Sequence, residues 1–222
     1  MWRSVIPSLA AGALVIGLLG WWIGWWGAAM RDQHRTRVGW TLIAPVIYLV
    51  IALGTFAGTD WGNVSAGFLL VALALGLLVG FAEEFVCRGM LLVGLRGTFR
   101  EVAVWAVTCL LFGVMHGLNI FLGAPVRDTV TQVVMAGVHG SAFYSLRRHF
   151  GTLVWAMLLH GLWDMSIFVH QQSGADSAVV GALVWVALPF ALVGGFVVAR
   201  RTQQGPVEDY AVHGAEAGVA AT

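Results

Sequence analysis

Residues 64–92 read VSAGFLLVALALGLLVGFAEEFVCRGMLL. From 64 to 82 the segment carries no charge, which gives about the 20 apolar residues needed to cross a hydrocarbon core. Glu83, Glu84 and Arg88 follow directly, inside sequence that is otherwise apolar. A soluble fold has no use for such a run, and a simple membrane anchor has no use for its ending.

The rest of the chain extends the first half of that reading. Of 222 residues, 59% are hydrophobic and only 10% charged, with a formal net charge of +1. The mean hydropathy is +0.84. Soluble domains carry about 25% charged residues to cover a surface that faces water, and this chain lacks them. The near-neutral balance disfavours nucleic acid as a partner. Two cysteines, Cys87 and Cys109, both within apolar stretches, disfavour a disulfide scaffold. All twelve basic residues are Arg and none is Lys, a usage that fits a GC-rich genome, with a prokaryotic source as the expectation.

Seven stretches are long and apolar enough to be read as spans: about 4–30, 38–58, 64–82, 101–118, 128–146, 151–170 and 178–199. The expected fold is thus all-α, a polytopic transmembrane helix bundle in the lipid bilayer, with residues 1–200 as one domain. The first stretch exceeds the apolar region of a signal peptide, and Trp21, Trp22, Trp25 and Trp26 suggest an interfacial belt. The Gly/Ala-rich tail, 201–222, is expected to be disordered. Nine of the twelve Arg residues fall in alternate connections, at 31–37, 96–100, 147–148 and 200–201. Because cytoplasmic loops are enriched in Lys and Arg, this places the N-terminus outside and the C-terminus inside a cell membrane. Gly20/Gly24, Gly76/Gly80 and Gly113/Gly117 are each four apart and offer smooth strips for close helix contact.

Ionisable residues at membrane depth cost at least about 2.5–3.5 kcal/mol each on insertion scales, so those retained usually face a bundle interior and act there. Six stand out. Glu84 and Arg88 are one helical turn apart, the acid first, which suits a charge-assisted pair. Glu83 is rotated by roughly 100° from Glu84 on a helix of 3.6 residues per turn, so it need not share the guanidinium. A carboxylate in that position suits a general base. Phe112, His116 and Asn119 can share one face, and His160 and Asp164 are again one turn apart. Asp164 there can fix the imidazole tautomer or hold a proton. Each pair alone is explained by local helix structure. Three helices doing the same are most cheaply satisfied by one shared polar cavity within the membrane. His139, between Gly137 and Gly140, is expected to hydrogen-bond a Ser or Thr across helices. Cys87 is expected to pack, and the eleven Trp residues to be mostly interfacial anchors, with a substrate groove the lesser alternative for Trp163.

These residues resemble the CPBP family of intramembrane proteases, which includes the type II CAAX-prenyl endopeptidases and bacteriocin-processing or bacteriocin-immunity proteins. The family pattern EExxxR, FxxxH, HxxxN or HxxxD is matched in order by Glu83-Glu84-x-x-x-Arg88, Phe112-x-x-x-His116 and His160-x-x-x-Asp164, within a core of about 64–170. The resemblance implies an endopeptidase acting on a hydrophobic or membrane-anchored peptide. Glu83 would activate water with His116 assisting, His160 and Asp164 would face the oxyanion, and Glu84 and Arg88 would hold the site together. Asp164 stands where relatives have Asn, an obvious donor. The family implies either a metal-free glutamate mechanism, the one favoured, or a zinc site, whose ligands would be His116, His160 and Glu83. Two other classes use the same buried groups: a proton-coupled transporter, and a non-catalytic membrane receptor or immunity protein.

Overall fold

The structure, a computed structural model, describes residues 2–32, 35–174 and 178–202. The tail expected at 201–222 lies, beyond Thr202, outside the described residues. The chain forms α1 (Trp2–Trp22), α2 (Trp26–Met30), α3 (Ile43–Ala57), α4 (Ala66–Glu84), α5 (Leu92–Arg96), α6 (Glu101–Met115), α7 (Val126–Phe150), α8 (Val154–Ser173) and α9 (Ala178–Arg201). Among the described residues there is no strand, only one antiparallel bridge between Arg31 and Thr152. The all-α bundle expected from the sequence is what forms.

Five stretches are long and apolar enough to cross a membrane: Val5–Trp22, Gly39–Ala57, Ala66–Arg96, Glu101–Leu122 and Leu183–Arg201. The seven-span expectation is therefore only partly met by apolarity. The remaining two segments are α7 and α8, 25 and 20 residues long, which have the length but not the composition. The physical reason is that their polar groups turn inward. Ser141, Ser145, Arg147, Arg148, His160 and Ser166 are all buried, so these helices show protein, not lipid, their polar side. Lipid-facing positions elsewhere carry Leu14, Leu70, Leu77, Leu110 and Trp185, all exposed.

The first expected span, 4–30, is broken. Gly24 adopts a left-handed φ of 72°, a conformation that glycine enters without a Cβ penalty. The turn lets α2 fold back, and Trp26 packs on Phe85 with ring centroids 5.0 Å apart. Gly24 thus makes a turn rather than a contact strip with Gly20. Gly76 and Gly80 do make such a strip. A Cβ on either would run into the backbone of α8, at the Gly161 and Met157 carbonyls. Gly113 meets the Val133 carbonyl and Gly137 of α7 in the same way, whereas Gly117 touches only the Val133 side chain. These contacts draw α4, α6, α7 and α8 together and fix where their polar faces meet. The main core lies beside them, around Tyr48, Phe85, Phe143, Leu153 and Ala187.

The Gly76→Ala variant is expected to lose stability by about 1–3 kcal/mol, the usual cost of overpacking. Gly67→Ala, with nothing within 4 Å of the added carbon, should be neutral or slightly stabilising. Thermal unfolding of the two purified variants in one detergent measures the difference.

Candidate active site

Ser65 begins α4 by accepting a hydrogen bond from the Phe68 amide at 3.1 Å. The helix runs unbroken to Glu84, then widens into a π-helical turn over Phe85–Leu91 before α5 completes it. Such wider turns leave backbone groups needing new partners and recur at functional sites. Here the turn begins between the two acids and the arginine of the first motif.

Glu84 is the hub. Its Oε1 accepts from Arg88 Nη1 at 2.8 Å and from His160 Nδ1 at 3.0 Å. Glu84 and Arg88 are fully buried. The Arg88 guanidinium lies over the Phe112 ring, 3.8 Å from its centroid, a favourable arrangement for a desolvated cation. Room for it comes from Gly140, where any Cβ would collide with the guanidinium. The His160 ring stacks on Phe143 at 5.0 Å. Because a carboxylate can only accept, His160 Nδ1 carries a proton, and Nε2 points the other way.

That other side is a cavity of about 710 Å³, into which Glu83, His116, His160 and Asp164 all project. His116 ends α6 where the backbone tightens into a 3-10 turn over His116–Leu122. Its Nδ1 lies 2.8 Å from the Phe112 carbonyl and so donates to it, which leaves Nε2 of the neutral ring as an acceptor. Glu83 Oε2 sits 4.0 Å from His116 Nε2 and 3.9 Å from His160 Nε2. Both separations exceed a hydrogen bond. Asp164 Oδ2 lies 3.6 Å from His160 Nε2. The structure therefore brings all six residues singled out by sequence around one point: Glu83, His116 and Asp164 face the cavity, and Glu84 and Arg88 lie behind it. It alters one expectation. The group that fixes His160 Nδ1 is Glu84, from another helix, rather than its own neighbour Asp164.

The lesser expectations divide. Asn119 lines the cavity and donates to Gln132 at 2.8 Å. Trp163 lines it too. His139 does not pair with a Ser or Thr, since its ring packs against Tyr48 and Trp163, at 4.5 and 4.9 Å. Cys87 is buried, with Met115 Sδ 3.9 Å away. Among the described residues, no group of three His, Cys, Asp or Glu side chains is arranged to hold a metal ion; His116, His160 and Glu83 nonetheless converge on the same side of the cavity.

Sequence reasoning missed a second polar cluster, behind the first. Asp32 Oδ1 meets Arg96 at 2.6 Å and Arg148 at 3.0 Å, while Oδ2 meets Arg147 at 3.1 Å. Arg96 forks onto Glu101, which also accepts from Tyr144 at 2.7 Å. Arg147 additionally donates to the carbonyls of Ala29 and Arg88. The π-turn that carries Arg88 is thereby braced from below. Three arginines counted as loop charges are structural, and only Asp32, an acid amid arginines, hinted at it. Burial would raise the Asp32 pKa, but Arg147, Arg96 and Arg148 outweigh it and hold the carboxyl well below its usual range.

Helices apolar enough to cross a membrane, enclosing a cavity with converging carboxylates and imidazoles, define a polytopic membrane protein with a polar site inside the bundle. Residues 65–166 match the Rce1-like family, described as type II CAAX prenyl endopeptidase Rce1-like. The matched segment carries all three motifs, in agreement with the CPBP resemblance, and that family implies protease activity. No curated protein and no solved structure matches the chain.

Replacing Asp32 by Asn removes the carboxylate shared by Arg96, Arg147 and Arg148, of which Arg96 keeps Glu101, and breaking a buried ion pair in this way typically costs about 3–5 kcal/mol. Since the folded pKa of Asp32 is depressed, its contribution is complete above the unfolded value of about 3.9. It is lost only as the pH falls below that, toward the folded value. Thermal unfolding in detergent is expected to show Asp32→Asn destabilised relative to wild type at pH 7, and an acid series to show a loss of stability in the wild type that Asp32→Asn lacks.

Proposed function

We propose that the protein is an intramembrane endopeptidase that hydrolyses a peptide bond of a hydrophobic or membrane-anchored substrate, with Glu83 as general base. The observation that carries this reading is the gap between Glu83 Oε2 and the two Nε2 atoms, 4.0 and 3.9 Å. It is too long for direct bonds and short enough for one bridging water.

The water held there donates one hydrogen to Glu83 and the other to the lone pair of His116 Nε2, so its oxygen lone pair points at the substrate carbonyl. As the oxygen bonds to the carbonyl carbon, Glu83 takes the proton. It then passes the proton to the amide nitrogen as the C–N bond breaks, leaving a carboxylic acid and an amine. His160, held at Nδ1 by Glu84, donates from Nε2 to the developing oxyanion. Asp164, at 3.6 Å, supports the charged imidazole in that step, which gives the acid a role where an Asn would itself donate. Glu84 and Arg88 keep His160 in place. No metal enters this scheme.

A transport pathway would have to continue past Glu84 toward the arginine end, and the buried Asp32 cluster fills that direction. The hydrolase reading uses every charged group at the cavity without such a path.

Glu83→Gln keeps the shape but removes the base, and loss of a general base typically costs about 10²–10⁴-fold in rate. His116→Ala and His160→Ala should also abolish detectable cleavage, whereas a zinc chelator should leave the wild type unaffected. Comparing membrane-bound C-terminal peptide fragments between cells making wild type and Glu83→Gln supplies the substrate. Cleavage of that substrate at the wild-type rate by purified, folded Glu83→Gln would remove Glu83 from its role.

A further inference from the structure

The cavity has one closed end and one open end, and the two ends differ in charge. Behind Glu83 the space is filled by Glu84, Arg88 and the Asp32 cluster, where Arg88, Arg147 and Arg148 are buried. In the other direction the lining runs through Leu118, Asn119, Leu122, Gln132 and Gln171. Four of these are exposed and Asn119 is half-buried. They come from the end of the α6 segment, the start of α7 and the end of α8, the same end of the bundle where Asn63, just before α4, contacts Ser173. The cavity therefore opens at the end of the bundle opposite the Asp32 cluster.

Burial also corrects the charge count that orients the chain. With Arg96, Arg147 and Arg148 set aside as structural, Arg31, Arg35, Arg37, Arg100, Arg200 and Arg201 remain exposed at the closed end. The open end has Arg127 exposed, next to exposed Asp128, and the sequence adds there only Arg3, near the start of α1. The bias survives the correction, and exposed basic residues flanking spans mark the cytoplasmic side.

We infer that the catalytic cavity opens to the extracytoplasmic face of the membrane, so that the substrate is a peptide segment already exported or anchored with its scissile bond in the outer leaflet. The substrate class rests on the hydrolase reading above; the direction of opening does not. The Asn119–Gln132 amide pair stands at this mouth, where a peptide backbone entering from outside meets it first. A cytosolic protein with a lipidated C-terminus approaches the closed, arginine-rich end and cannot reach Glu83.

The test uses cells producing the full chain and a membrane-impermeant maleimide. Gln132→Cys reports the mouth and Thr98→Cys, exposed between α5 and α6, reports the closed end. The two native thiols are buried, so the unsubstituted chain is the blank. Gln132→Cys is expected to label fully in intact cells, and Thr98→Cys only after permeabilisation. Labelling of Thr98→Cys in intact cells, or of Gln132→Cys only after permeabilisation or not at all, overturns the inference. Neither result bears on whether Glu83→Gln is inactive. Conversely, an active Glu83→Gln with outside labelling at Gln132 overturns the hydrolase reading and leaves the opening in place.

Discussion

The site depends on one oxygen atom. Glu84 Oε1 accepts hydrogen bonds from Arg88, on its own helix, and from His160, 76 positions away on α8. Removing any of the three leaves an uncompensated polar or charged group in a low-dielectric interior, which is far costlier than the net gain from a satisfied bond. The glycine contacts of α4 with α8 and the space above Gly140 exist to let these three groups meet. Once they do, His160 can present only Nε2 to the cavity, and Glu83, one residue earlier and turned away from Arg88, is brought alongside it.

The second cluster serves the first from behind. A π-turn exposes carbonyls that an α-helix would pair internally, and Arg147 reaches one of them at Arg88 while its guanidinium is neutralised by Asp32. The interior thus holds two sets of buried ion pairs, joined by the Arg147 hydrogen bond to the Arg88 carbonyl, from the arginine-rich end of the bundle to the cavity floor. That arrangement closes one end of the cavity and leaves the other to admit substrate.

Much of this was legible before any coordinates. Periodicity alone separated Glu83 from Glu84 and paired Glu84 with Arg88, because those relations lie within one helix. Apolarity gave the bundle, and the three-motif order gave the family. What stayed hidden depended on contacts between helices. Sequence spacing paired His160 with Asp164, its neighbour in the chain, when its closest partner is Glu84. The same limit misplaced Arg147 and Arg148: position near a span end reads as solvent charge, and only burial shows otherwise. Residues 4–30 read as one span because hydropathy does not register a single left-handed glycine. The polarity of α7 and α8 was averaged away by their apolar neighbours, although it marks the faces that build the site.

The claim on which the account stands is that Glu83 and His116, from different helices, face each other across the cavity. Magic-angle-spinning NMR of the full chain in bilayers, with ¹³C-labelled Glu carboxyls and ¹⁵N-labelled His, measures it directly. The predicted result is a carbon–nitrogen dipolar contact between a Glu carboxyl and His116 Nε2, consistent with the 4.0 Å separation and absent in Glu83→Gln. A spectrum that shows the shorter Glu84–His160 contact but none to His116 would contradict it.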